Sequence, residues 1–289
     1  MKILTNKRCY IGESPIWNER DEKLYFTNGK EREVCAYDVQ TDVLTVRRVP
    51  AWVSAVAFTE DNRLILSHTG GVHILGNNDE LIPLYNEEKH PIKYAGDMKV
   101  GPDGALYVGT ISEKFRGVSE KVDGKLYRIS PYGEVEILQD GLLLPNGLEW
   151  SMDEKKFYHA DSGASCIQEY FFDKESGKIR ISGRQVRVEG VDGLTIGANG
   201  SLFVSCAWKK YIAVIDGETL TVIRCIPFSD TFPMSCAFCG QDMDVLAVTT
   251  ASDTADLTIN PNAGFTVLTK QATTGRNPYL FQGKGRTTL

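Results

Sequence analysis

The stretch PNGLEWSMDEKKFYHAD, residues 145 to 161, decides the fold. A polar residue, Asn146, enters a short apolar strand, Ser151-Met152-Asp153-Glu154 supplies turn chemistry, and a second strand ends on Asp161. Three other stretches follow the same grammar. GESPIWNERDEKLYFTN runs from Gly12 to Asn28, VDGLTIGANGSLFVSC from Val191 to Cys206, and a looser copy, GDMKVGPDGALYVGT, from Gly96 to Thr110.

The leading apolar residues of the turn-plus-strand units are Leu24, Leu64, Leu106, Phe157, Leu202 and Leu246, spaced by 40, 42, 51, 45 and 44 residues. Six strand-and-turn units of that period match propeller blades. A sandwich or a lipocalin-like barrel would not repeat a two-strand signature six times. Each unit adds two outer strands, such as Val34 to Asp38 and Leu44 to Arg48 in the first, or Ile167 to Asp173 and Arg184 to Val188 in the fourth. No segment holds a 3.6-residue apolar period, so almost no helix is expected. The expected fold is all-β: one domain over residues 1–289, a six-bladed propeller of four-stranded antiparallel blades, with strands A to D from the axis outward. The last blade contributes Ser235 to Phe238, Val245 to Thr250 and Phe265 to Thr269. Residues 3 to 9 have no partner in their own blade. They are expected to pair with the last one, close the ring and remove two open sheet edges. Ser252 to Gly264 and the tail after Gln282 read as loop.

A hydrophobic fraction of 42% supports a sizeable core, and a net charge of -6 argues against a nucleic-acid partner. No apolar run approaches the roughly 20 residues of a membrane span. The opening MKILTNKRCY lacks the apolar core of a signal peptide, so the cytoplasm is the expected compartment. The seven cysteines are odd in number and irregular in spacing. Cys236-x-x-Cys239 has no second pair and sits in an expected strand, which favours a core role over zinc or redox chemistry. His68, His73, His90 and His159 have no zinc-like spacing, and His68 reads as a hydrogen-bonded structural histidine.

In a propeller the D-to-A and B-to-C connections emerge on one face, around the channel. The residues entering strand A at the axis are then Glu13, Ser54, Gly96, Asn146, Asp192 and Met234. Glu13, Asn146 and Asp192 are strong oxygen donors from blades one, four and five. Two carboxylates and an amide oxygen form a hard site for Ca²⁺, Mg²⁺, Mn²⁺ or Zn²⁺, its coordination completed by water or substrate. Taken singly, Asp-Gly and Asn-Gly are ordinary turn chemistry and Glu13 an ordinary strand entry. The case rests on their sharing one slot of a repeat. Asp97, Asp161 and Trp208 lie on the same face as candidate pocket residues. No phosphate loop or serine nucleophile elbow is present.

At these residues the chain resembles the gluconolactonase and regucalcin-like (senescence marker protein) family. The resemblance runs through Gly12-Glu13-Ser14-Pro15, Pro145-Asn146-Gly147-Leu148, Ala160-Asp161-Ser162, Val191-Asp192-Gly193-Leu194 and Pro278-Tyr279. It implies a six-bladed propeller with one divalent metal at Glu13, Asn146 and Asp192. It also implies hydrolysis of sugar lactones, or of organophosphates in related propellers. One departure stands out: the family's Arg-x-Asn-Asp segment, which binds substrate hydroxyls, is here Tyr94-Ala95-Gly96-Asp97, with only the Asp kept.

The resulting expectation is a metal-dependent hydrolase of a small-molecule lactone or similar cyclic ester. Asp192 is both ligand and candidate base, loops 86 to 96 and 112 to 122 form a lid, and Tyr94, Asp97, Asp161 and Trp208 are candidate substrate contacts. The competing reading is a non-enzymatic propeller that holds a metal structurally and presents its face to a protein or small ligand.

Overall fold

Six copies of the hairpin stand around one axis in the computed structural model, which describes residues 1–283. Each belongs to a four-stranded antiparallel sheet, and the fold is the expected six-bladed propeller. Strands A are Gly12–Asn18, Val53–Phe58, Ala95–Val100, Pro145–Trp150, Val191–Ile196 and Phe232–Cys239. Each packs on the next around the ring, blade six on blade one included. The one helical element among the described residues is the single 3₁₀ turn Ala207–Lys209.

Burial follows position in the blade. Strands B, such as Lys156–Asp161 and Ser201–Cys206, are sandwiched between neighbouring blades and buried nearly throughout. Outer strands such as Val43–Arg48 and Thr221–Pro227 are mostly exposed. The core therefore lies in the seams between blades. At the seam of blades three and four, Tyr107, Trp150, Phe157 and Phe172 meet edge-on or tilted, with centroids 4.8 to 6.2 Å apart. Such contacts add about 0.5–1.5 kcal/mol per pair beyond area burial.

Every A–B ladder loses register where strand A enters from the channel face. The breaks fall between Glu13 and Ile16, Val53 and Ala55, Ala95 and Met98, Pro145 and Leu148, Val191 and Leu194, and Pro233 and Ser235. A bulge bends its strand and re-aims the side chains beside it.

Lys2–Leu4 supplies the fourth strand of blade six, pairing with Thr266–Lys270 and burying Leu4. Of residues 3 to 9, only Ile3 and Leu4 enter this ladder; Ile11 bridges to Ala251. On the opposite face, the segment after Lys270 crosses the A–B turns. Gly275 N–H donates to Met243, Thr274 C=O accepts from Ala198, Phe281 exchanges bonds with Phe58 and Glu60, and Gln282 donates to Gly104. Asn277 reaches Glu19 and Tyr279 reaches Glu154, so this strap touches all six blades. The loop expected after Gln282 lies, from residue 284 on, outside the described residues.

Candidate functional site

The six axial entry positions, Glu13, Ser54, Gly96, Asn146, Asp192 and Met234, all line one cavity of about 440 Å³. Asp97 and Trp208 line it too. The bulges account for the convergence, because they turn the residues at the strand entry toward the axis. Glycine permits the close approach. A Cβ on Gly147 would stand 2.6 Å from the Asp192 carbonyl oxygen, and one on Gly193 would stand 2.8 Å from Ser235 Cα. The Asn-Gly and Asp-Gly pairs are therefore packing devices between adjacent A strands rather than turns.

Glu13, Asp97 and Asp192 form an acidic cluster at the base of the cavity. Burial first, then repulsion from Asp192 and Asp97, pushes the Glu13 carboxyl well above its usual range. Burial and Asp97 do the same to Asp192. Asp97 is also raised by burial, although Lys99 pulls the other way. Each carboxylate accepts from the backbone N–H of the next residue, Ser14, Met98 or Gly193. Among the described residues no cationic side chain forms an ion pair with any of the three.

Asn146 is oriented by a directed chain. Ser162 Oγ donates to the Val191 carbonyl at 2.5 Å, so toward Asn146 it can only accept. The Asn146 Nδ2 group donates to it at 2.8 Å, and Oδ1 has no hydrogen-bond partner among the described residues. The donor set fits a hard divalent cation: two carboxylates with no neutralising partner and an amide oxygen left unused. It is a mixed set. Among the described residues no three His, Cys, Asp or Glu side chains surround one point as a metal cage.

Two of the sequence candidates stand apart from the cavity wall. Asp161 is buried, and its carboxylate accepts from the backbone N–H groups of Leu143, Leu144, Gly163 and Ala164. Its carboxylate therefore holds two loops together, with Oδ1 accepting three of the four bonds. Tyr94 lies under the Arg116 guanidinium, 3.5 Å from its ring centroid, and so joins the two loops expected to form the lid. Phe115, in the second of these loops, does line the cavity.

Sequence reasoning missed Ser162 as an orienting group, and it missed the aromatic wall of Trp52, Phe115 and Phe232. Ser162 carries no signal without the Asn146 partner. Phe115 sits in a connection that the repeat does not align, while Trp52 and Phe232 stand two residues before the entry slots Ser54 and Met234, a position that is not aromatic in all six blades.

His68 and His73 are structural. Gly70 N–H donates to His68 Nδ1, so His68 Nε2 carries the proton and donates to His73 Nδ1 at 2.8 Å; His73 in turn donates to Glu87 at 3.0 Å. Burial holds the His68 ring pKa down at about 4. All seven cysteines are free; Cys236 and Cys239 are buried as expected, whereas Cys225 is exposed on an outer strand.

The chain matches the SMP-30/Gluconolactonase/LRE-like region over residues 11–252. It is 30% identical to regucalcin of Gallus gallus over 295 residues, covering 98% of each chain. It is 27% identical to a Bacillus subtilis protein named "Putative sugar lactone lactonase YvrE", covering 96% of each. Among solved structures, regucalcin from Agrobacterium tumefaciens, described as a calcium-binding protein, superposes with a TM-score of 0.85 at 22% identity over 97% of this chain and 96% of that one.

Proposed function

Because the chain belongs to the SMP-30/gluconolactonase/LRE-like family, we propose that it is a divalent-metal-dependent hydrolase that opens a lactone ring. The observation that carries this reading is the convergence of Glu13, Asn146 and Asp192, from three blades, on one cavity with the Asn146 amide oxygen left free. Family membership supports lactone hydrolysis in general; the metal requirement and the residue roles are our reading of the site. A divalent ion held by these three residues would supply Lewis-acid polarisation of a carbonyl and make a water more acidic.

The chain's own groups do the rest. Water adds to the lactone carbonyl carbon, the ring C–O bond breaks, and the proton taken from the water goes to the departing alkoxide. In this reading Asp192 accepts and returns that proton, with Asp97, which is not one of the three ligands, as the next carboxylate on the wall. Asp192→Asn keeps an oxygen donor but cannot take a proton. At confirmed full metal occupancy its turnover should fall by roughly 10² to 10⁴, and near-normal turnover would move the role to Asp97. The unpaired cysteines support a reducing compartment such as the cytoplasm.

The test is turnover of a panel of lactones, measured by acid release, with and without a chelator. Hydrolysis that disappears with chelator and returns with added Ca²⁺, Mn²⁺, Mg²⁺ or Zn²⁺ is expected. Hydrolysis indifferent to chelation would remove the metal from the reading, and no hydrolysis of any lactone would remove the reaction.

A further inference from the structure

The cavity wall above the acidic cluster differs from what a polyol or an anion requires. Among the described residues that line it there is no Arg, Lys or His, while Glu13, Asp97, Asp192 and Asp253 all do. A phosphorylated or carboxylate-bearing ligand would find no side-chain countercharge, and the acids would already neutralise a divalent ion held there. Neutral hydroxyl-binding groups are few once Glu13, Asp192 and the Asn146 amide oxygen are given to the ion. Ser162 donates to Val191 and accepts from Asn146, which leaves one Asn146 N–H for a ligand. The remaining hydroxyl side chains, Ser54, Ser165 and Thr254, are single short groups from different connections.

Aromatic surface fills the space instead. Trp52, Phe115, Trp208 and Phe232 face the cavity from blades two, three, five and six. Trp208 and Phe232 form a tilted pair with centroids 6.0 Å apart, and Lys210 lies 4.7 Å from the Phe232 ring. Trp208 is 66% exposed and Phe115 is 52% exposed. Large rings left open at the mouth of a concave site mark a ligand surface. Gly96 extends the same argument. Unlike Gly147 and Gly193 it is not forced by crowding, since a Cβ there would meet nothing nearer than Ile111 Cγ1 at 3.5 Å. The wall at Gly96 is open by choice of side chain, which adds room for a bulky group.

We infer that the cavity selects an uncharged cyclic ester carrying an aromatic or branched apolar group, gripped by Trp208, Phe232 and Phe115, in preference to a polyhydroxylated or anionic lactone. This inference rests on the lactone-hydrolase reading for the ester but on the wall alone for the apolar group, and binding separates the two. The probes are lactams, which resemble the lactones and resist hydrolysis: 3,4-dihydro-2(1H)-quinolinone for the aryl class and D-glucono-δ-lactam for the sugar class. Their affinities are measured by calorimetry on the full chain with divalent ion present, alongside turnover of dihydrocoumarin and D-glucono-δ-lactone.

The quinolinone should bind at least tenfold more tightly than the gluconolactam. Trp208→Ala and Phe115→Ala, at exposed positions that leave the core intact, should each weaken the quinolinone roughly tenfold and leave the gluconolactam unchanged, while Trp208→Phe retains most of the affinity. Gly96→Asn, which adds an amide where there is room for one, should narrow the gap between the two probes. Equal affinities, tighter gluconolactam binding, absence of binding by either, or ring variants that affect both probes alike would overturn the inference. Tight quinolinone binding without turnover of dihydrocoumarin would uphold it and overturn the hydrolase reading instead.

Discussion

Ser162 shows how much of the site depends on a residue that would never touch the metal. Its hydroxyl oxygen accepts from the Asn146 amide N–H while its O–H donates to the Val191 carbonyl, which fixes which end of the amide faces the cavity. Ser162→Ala frees the amide to rotate. Partners of this kind typically contribute 10–100-fold in metal affinity, so divalent-ion binding measured by calorimetry should weaken within that range while the melting temperature hardly moves; unchanged affinity would mean that the strand bulge alone orients Asn146. His159 bears on pH rather than on metal. Burial lowers its pKa to about 4 despite the opposing pull of Asp161, and its Nε2 has no partner. The unfolded chain takes up this proton near pH 6.5 and the folded chain only near pH 4. Its contribution is therefore intact above pH 6.5 and is lost as pH falls toward 4, by up to about 3 kcal/mol. His159→Phe, stacked on Phe157 as the imidazole is, should lose less stability over that window in urea titrations at stepped pH, and parallel curves for the two proteins would refute this.

At the scale of the element, the hairpin repeat was legible and its bulge was not. Turn residues and apolar alternation mark strands A and B in each unit, and aligning the units placed Glu13, Asn146 and Asp192 in one slot. A break in ladder register leaves no trace in a period-2 pattern of four or five residues. The glycines that accompany it, Gly147 and Gly193, therefore read as turns until the neighbouring strand appears 2.6 to 2.8 Å from their missing Cβ atoms. Asp161 shows a related gap: a carboxylate at the end of strand B reads as a substrate contact, and only the fold shows four backbone N–H groups on it. The strap is the other element that sequence reading left blank, since it has no periodicity. Its anchor is Arg276, which pairs with buried Glu149 and donates to the Ser151 and Trp150 carbonyls. Arg276→Ala leaves Glu149 with Lys99 as its remaining cation. Removing one partner of a buried pair costs about 3–5 kcal/mol. Lys99 should hold the loss near the lower figure, and a Glu149→Gln background should shrink it further. Additive losses in the double variant, read from denaturant midpoints, would rule out the pairing as the source.

For the whole molecule, the question is what keeps a ring of six sheets from opening. Two devices act at different places: the Lys2–Leu4 strand that completes blade six at its outer edge and the strap that crosses the A–B turns. The first is not the sole tie between blades six and one. Strand A of blade six packs on that of blade one, Cys9 N–H donates to Gly264, and Ser252 N–H donates to Tyr10. Removing residues 1 to 5 should therefore leave a closed propeller that loses the contacts of exposed Lys2 to Tyr37 and Asp42, worth little, and carries two larger defects. One is the vacated site of Leu4 in the core shared by blades six and one, which costs about 2–5 kcal/mol as large-to-small core changes do. The other is the newly bare outer edge of Thr266–Lys270, a row of unpaired backbone groups that can template another chain. Leu4→Ala creates the first defect without the second, so the pair of variants separates them. Both should unfold in one transition at a lower urea midpoint. Only the deletion should show sedimentation that shifts toward larger species with rising concentration, relative to the full chain. If the deletion sediments as the full chain does, the strand serves the core alone and edge protection plays no part. If Leu4→Ala is as stable as the full chain, the ladder itself rather than the buried leucine holds the closure.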